Sequence, residues 1–486
     1  MHKHLTEQTA IFLSVTKWVV LSSIIGIVIG AVVTGFLDIL EYSENYCSTL
    51  PFEHYFLLPI ALVLTVWVVK TFAPSAEGHG TEKVIAAVHK DNGKINVLVI
   101  PIKLLATVLT IAAGGSVGKE GPGAQIGAGV ASVISSSLKF KSQDKKKLAI
   151  CGISAGFATV FGTPIAGAIF GVEVLIIGVI MYDVLLPSFI AGFAAFTTAQ
   201  FLGIKYTYYN LHFFQDLNLD IALIIKVIIA GVFFGFISDI VITSVSSMAN
   251  YIKKIKYNIY TKAFIAGFIM VVLTYIFGEQ YIGLGLNTIA NALNPNIDTS
   301  SNIHWYTFIV KLFFTSVTLG SGGSGGIITP LFYIGATSGY TFGSIISPDH
   351  ITLFAALGFI SVLSATTNTP IASTIMAVEL FGIDIAHYAA LSAVISFLIS
   401  GHRSVFSSQL LAMKKSSMLN IKMGEEVENT NIILENHQQD KINKFKRKIK
   451  HKEINSYKNF NKILYDIKVL KTDIFNTIIS LFKKRN

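Results

Sequence analysis

Charge is what this chain has least of. Asp, Glu, Lys and Arg make up 14% of its 486 residues, and 52% are hydrophobic, whereas soluble proteins carry about 25% charged residues. A soluble enzyme or binding module is thereby excluded, and the chain reads as a polytopic membrane protein. Cysteine is nearly absent: Cys47 and Cys151 are the only two, too few for a disulfide framework or a thiolate metal site. No His-Glu-x-x-His spacing and no nucleophile motif stands out, which argues against an enzyme and against a bound cofactor. A cleavable signal is also missing, because the first apolar run, Trp18–Leu40, is long and lacks a small-residue cleavage site. It is expected to be the first membrane helix.

Uninterrupted apolar runs of full spanning length are few as well. Runs such as Tyr55–Phe72, Trp305–Leu319 and Ile351–Ala365 fall short of about 20 residues, and Leu148–Ile180 is broken by Gly and Pro. Broken and half-length helices follow, tolerated in a membrane only where protein or a water-filled cavity satisfies the freed backbone. The net charge of +10 sits in Lys139–Lys147, Lys253–Lys262 and the tail from Lys414. Positive loops stay on the cytoplasmic side, so both termini are expected there, in a plasma or inner membrane. Such flanks mark orientation or anionic-lipid contact rather than nucleic-acid binding. The expected organisation is a cytoplasmic segment over 1–15, a transmembrane domain over 16–412 with repeats near 50–200 and 220–400, and a basic tail over 413–486. In the tail Phe460, Ile463, Leu464, Ile467, Leu470, Ile474, Ile478 and Leu481 recur at spacings of three and four, predicting an amphipathic helix on the inner leaflet or on a partner.

Against this apolar background two adjacent charges, Lys119 and Glu120, occur in Gly118-Lys119-Glu120-Gly121-Pro122-Gly123. An ionisable residue at membrane depth costs roughly 2.5–3.5 kcal/mol and persists where it faces a polar cavity or a partner. The glycines leave backbone amides accessible and Pro122 suits a first helical turn. The stretch therefore reads as a helix N-terminus, a site for an anion that needs no catalytic group. Adjacent residues at a helix start point in different directions, so Glu120 is read as a gate rather than as an ion pair with Lys119. Lys119 either raises the local positive potential or anchors the segment. Gly114-Gly115-Ser116-Val117-Gly118-Lys119 fails as a phosphate loop, since that spacing needs Gly at 113 and Ser or Thr at 120, where the chain has Ala113 and Glu120.

The plan recurs. Gly326-Ile327-Ile328-Thr329-Pro330 matches Gly118 to Pro122 with Pro330 lying 208 positions after Pro122, and Thr369-Pro370-Ile371-Ala372 with Glu379 matches Thr163-Pro164-Ile165-Ala166 with Glu173 at an offset of 206. An internal duplication is implied, with the transported species at the repeat interface. Recurrence of Glu173 and Glu379 in both halves favours a structural duty at helix ends. A third turn, Gly78-His79-Gly80, opens a short helix, and Glu82 stands where an N-terminal cap would.

These residues resemble the CLC family of chloride channels and chloride/proton antiporters: Gly118 to Pro122 is similar to its G-[RK]-E-G-P signature, and Gly325-Gly326-Ile327-Ile328-Thr329-Pro330 to its G-G-x-[FI]-x-P signature. The resemblance implies an all-α fold of two internal, inverted repeats with many tilted and partial helices, and a homodimer with a pore in each subunit. It implies Glu120 as the gating glutamate, the amides of Ile327 and Ile328 as central anion donors, and those around Gly121 as the outer site. Three departures stand out. His79, beside Gly80, replaces the family's serine. Phe406 is the nearest candidate for the pore tyrosine. Val174 follows Glu173 where proton-coupled relatives carry a second acid, which tilts the reading to a passive chloride channel. A chloride/proton antiporter and an exporter of fluoride or another small anion are the alternatives.

Overall fold

The computed structural model describes residues 2–206, 208, 220–294, 303–430 and 433–434. The predicted tail helix over 460–481 lies outside them. The contacts divide the chain into two units, one of residues 1–415 and 422–430, the other of 416–421 and 431–486. In the second, β3 (Leu419–Asn420) pairs antiparallel with β4 (Ile433–Leu434).

The first unit is helical. Its first repeat runs α3 (Gly80–Lys90), α4 (Val99–Ala112), α5 (Glu120–Ser137), α6 (Ser142–Phe161), α7 (Pro164–Glu173) and α8 (Tyr182–Phe201), preceded by α1 (His2–Ser48) and α2 (Leu58–Phe72). After α9 (Ile221–Lys254) and α10 (Ile259–Phe277) the second repeat follows as α11 (Leu286–Leu293), α12 (Thr307–Gly320), α13 (Ile328–Ile346), α14 (Ile351–Thr367), α15 (Pro370–Phe381) and α16 (Ala386–Ile399). The only strands here, among the described residues, are β1 (Ile176–Ile177) and β2 (Leu410–Leu411), paired in parallel. Six described helical stretches are long and apolar enough to span a membrane, including α1, α8, α9 and α10, while α4, α7, α12 and α15 are apolar but short.

The breaks follow local chemistry. Gly162 and Asn368 take left-handed conformations (φ 73° and 58°) at the ends of α6 and α14, a backbone region open to Gly and, with a short polar side chain, to Asn. Pro164 and Pro370 then occupy the first positions of α7 and α15, where a missing N–H does no harm.

Within each repeat the long inner helices touch backbone to backbone through glycines. A Cβ on Gly152 of α6 would lie 2.5 Å from the Cα of Ala128 in α5, and one on Gly335 of α13 would lie 2.9 Å from the Cα of Phe359 in α14. Close approach of small residues is how helices gain packing energy where lipid competes equally for apolar side chains. Gly152→Val is therefore expected to cost more than the usual 1–3 kcal/mol of overpacking and to abolish the monodisperse peak in size-exclusion chromatography. Gly35→Ala, whose Cβ meets nothing within 4 Å, is expected to leave that peak intact.

The repeats are joined by reciprocal bonds, each with its twin. Glu173 accepts from the N–H groups of Ile371 and Ala372 at 3.0 and 2.7 Å, and Glu379 accepts from Ile165 and Ala166 at the same two distances. Each carboxylate thus caps the other repeat's short helix, which fixes α7 and α15 antiparallel and gives both glutamates the structural duty expected of them. Hydroxyl pairs do the same deeper in: Thr107 with Ser324 at 3.2 Å, and Ser116 with Thr315 at 3.0 Å. One repeat is therefore inverted relative to the other.

Candidate functional site

Symmetry places the site. Gly118 and Gly326 exchange both backbone hydrogen bonds, at 2.7 and 2.6 Å, as an isolated antiparallel bridge. Each stands two residues before a helix start, so the first turns of α5 and α13 are brought side by side in the protein interior. The start of α3 joins them: a Cβ on Gly80 would lie 2.5 Å from the carbonyl carbon of Gly121, and one on Gly121 would lie 3.0 Å from the Cα of Gly326. Three helix N-termini, each with unpaired N–H groups and a positive dipole end, meet through three glycines because no side chain would fit between them.

One side chain breaks the two-fold symmetry. Glu120 is buried, and its carboxylate reaches across to α13, accepting from the N–H of Thr329 at 3.2 Å and from the Thr329 hydroxyl. The counterpart positions hold Ile328 and Gly121, which cannot return the bond. A carboxyl group thus sits at the N-terminus of α13, where α-helix geometry leaves the first N–H groups, those around Ile327 and Ile328, without helical partners. Lys119 is the N-cap residue of α5 and is half-buried. It is not among the hydrogen-bond partners of the Glu120 carboxylate, which are both on Thr329.

His79 occupies the N-cap position of α3 with extended backbone (φ −72°, ψ 120°) and makes no side-chain cap. Its Nδ1 is buried and has no hydrogen-bond partner. Glu82 does not fold back as the cap its spacing suggests. Its carboxylate instead accepts from the hydroxyl of Ser407 at 2.5 Å, which draws the segment carrying Phe406 against the first turn of α3. Phe406 is buried, and its N–H donates to the Ser404 hydroxyl at 3.0 Å. Val174 is buried behind it, its carbonyl accepting from the Gln409 amide at 2.7 Å. Gly80, Gly121, His79, Glu120, Ile327 and Ile328 are therefore gathered around one point, with Phe406 beside α3. Among the described residues no three His, Cys, Asp or Glu side chains cluster as metal ligands.

Three participants escaped the sequence reading. Thr329 hides in the repeated motif, where its partner position is Gly121. Lys103 of α4 is fully buried and donates to the carbonyls of Ala76 and Gly78 at 3.1 and 2.7 Å, holding the turn that aims His79 and Gly80. Lys311 of α12 lies 208 positions later and donates to Tyr281 and Gly283 at 3.1 and 2.9 Å, holding the matching turn before α11. The recurrence of a lysine at the repeat offset was the available signal.

The chain is similar to known membrane anion transporters and channels. The family described as "Voltage gated chloride channel" matches residues 61–401. A "Chloride/fluoride channel protein" of Pseudomonas syringae pv. tomato is 30% identical over 418 residues, covering 84% of this chain and 90% of that protein. An "H(+)/Cl(-) exchange transporter" of Vibrio vulnificus is 25% identical, covering 82% and 90%. Among solved structures, a CLC-type fluoride/proton antiporter superposes with a TM-score of 0.77 at 29% identity, covering 82% of this chain and 99% of its own.

Proposed function

The chain belongs to the voltage gated chloride channel family, a membrane family of anion transporters and channels, and on that premise we propose that it exchanges a small halide, fluoride ahead of chloride, for protons. Glu120 is the group on which both meet. The observation that carries this reading is the Glu120 carboxylate on the Thr329 N–H and hydroxyl. A carboxylate and a halide compete for the same donors, and a carboxylate that has been displaced can carry a proton. Neutral dipoles stabilise the ion without a full charge, so binding stays weak enough for release.

Selectivity is read from the donors. The site offers backbone N–H groups, one threonine hydroxyl and the imidazole of His79, and Phe406 supplies a ring without a hydroxyl. A compact array of N–H donors suits a small, strongly hydrated anion that must recover its lost hydration at short range. The names of the Pseudomonas relative and of the solved fluoride/proton antiporter lend support. Val174, which tilts the sequence reading to passive conduction, leaves Glu120 as the one acid at the gate, and protons reach it through water. Homodimeric assembly and a cytoplasmic placement of both termini belong to the same proposal.

Efflux from liposomes holding the purified protein, followed with fluoride and chloride electrodes in the absence of ATP, tests it. Fluoride is expected to leave at least severalfold faster than chloride. His79→Ser, which substitutes a hydroxyl for the imidazole, is expected to raise the chloride rate relative to fluoride. Equal rates for both anions in the unaltered protein would remove fluoride preference from the account.

A further inference from the structure

Away from the pore, where α3 turns into α4 against the end of α5, a groove of about 510 Å³ is lined by Asp91, Lys94, Asn96, Ser136 and Ser137 over an apolar floor that includes Val97. Its charges are oddly placed. Asp91 is the residue just past the C-terminus of α3, where a helix dipole favours a cation, and the groove's other wall is the C-terminal turn of α5, also a negative dipole end. The neighbouring cation, Lys90, is committed to Glu426 at 2.8 Å, and no ion pair joins Asp91 or Lys94 to another described side chain. Asp91, Lys94 and Asn96 are all exposed. The turn is held rigid, with left-handed Asn92 and Gly93 (φ 53° and 75°) and the Ile95 N–H donating to Ser132 at 2.8 Å. A preformed groove therefore gathers a carboxylate, an ammonium and two helix C-termini in its lining, with the backbone of Lys145 and Lys146 packed against Gly93.

The groove also sits at the edge of the apolar zone. Val97, Leu98 and Leu138 are 54%, 47% and 61% exposed at its margin, and Leu105 of α4 continues the apolar surface at 43%. A side chain of this kind at the end of a membrane helix meets lipid, and the neighbouring loop carries Lys139 and Lys141.

We infer that this groove is a binding site for one zwitterionic phospholipid with a primary ammonium, phosphatidylethanolamine, whose ammonium lies at Asp91 and the end of α5 and whose phosphate lies at Lys94 and the Asn96 amide. An ammonium satisfies Asp91 and both dipole ends together, and its N–H groups reach the Ser136 and Ser137 hydroxyls. A trimethylated headgroup cannot donate there, and an anionic headgroup meets Asp91 with like charge. The acyl chains run along Val97, Leu98 and Leu105. This inference is independent of which anion the pore carries.

Native mass spectrometry of the purified protein in detergent, with dioleoyl phosphatidylethanolamine, phosphatidylcholine or phosphatidylglycerol added in turn, tests it. One phosphatidylethanolamine retained per protomer is expected, at least tenfold tighter than the other two, with Asp91→Asn and Lys94→Gln each weakening retention about tenfold. Equal retention of phosphatidylcholine would overturn the ammonium assignment. Stronger phosphatidylglycerol binding that Asp91→Asn enhances would make the groove an anionic-lipid site and contradict the proposal, as would retention that neither variant changes.

Discussion

Glu120→Gln is expected to abolish proton movement while leaving a flow of anions. The amide is nearly isosteric and can still accept from the Thr329 hydroxyl, so the first turns of α5 and α13 keep their glycine bridge. What is lost is charge and titration. Hydrogen bonds to a charged group are worth about 1.5–3 kcal/mol against about 1 kcal/mol for neutral ones, so the amide holds the N-terminus of α13 roughly tenfold less tightly and yields it to a halide. It also has no carboxylate to protonate. Paired recordings of halide efflux and internal pH in liposomes should show efflux retained and the proton signal at background. Coupling that survived the substitution would assign the proton to another group and leave Glu120 with a structural role.

The second large effect is expected at a residue with no part in conduction. Lys311→Met should unfold the protein at markedly lower temperature, because it leaves the carbonyls of Tyr281 and Gly283 inside the protein without their donor. Each unsatisfied buried group costs about 1–3 kcal/mol, and no water is present in the bilayer core to replace the lysine. A total near 2–6 kcal/mol is a large share of a domain's stability. The ammonium also lies 4.9 Å from the ring centre of Tyr333, a further contact that Met replaces only in part. Thermal unfolding in detergent measures the change, and Lys103→Met should match it, since Lys103 holds the equivalent turn through Ala76 and Gly78. An unchanged transition in either variant would show that the turns hold themselves.

The residues legible in the sequence are those whose backbone chemistry is local. Gly118, Pro122, Pro164 and their counterparts mark breaks and helix starts on their own, and a charged Glu120 among apolar residues has to be explained at once. Glu173 and Glu379 were legible because they recur at the same offset as the prolines. Lys103 and Lys311 also recur at the repeat offset, but their partners are two carbonyls 25 to 30 residues away, so nothing in the neighbouring side chains tells what the lysines hold. The Gly283-Leu284-Gly285 turn that pairs with Gly78-His79-Gly80 lacks a proline or charge to announce it. Glu82 was misread for the opposite reason: its spacing suits a local cap, but a hydroxyl 325 positions away in sequence was the better donor.

The symmetry explains why the site is where it is. The bonds made by Glu173 and Glu379, and by Thr107 with Ser324 and Ser116 with Thr315, come as twins, so these parts of the interface are held without the Glu120 carboxylate. At the centre, Ile328 stands at the counterpart of Glu120, which leaves one carboxylate facing one helix end; in the proposed function this is the two-state element that an anion displaces.

The most direct measurement is proton movement driven by a fluoride gradient in liposomes that contain only the purified protein, with the membrane potential clamped at zero by potassium and valinomycin. An outward fluoride gradient should drive protons inward and acidify the lumen, in proportion to the fluoride that leaves. If fluoride leaves while internal pH stays constant, and the unclamped potential settles at the fluoride equilibrium value, the protein is a passive channel and the exchange account is wrong.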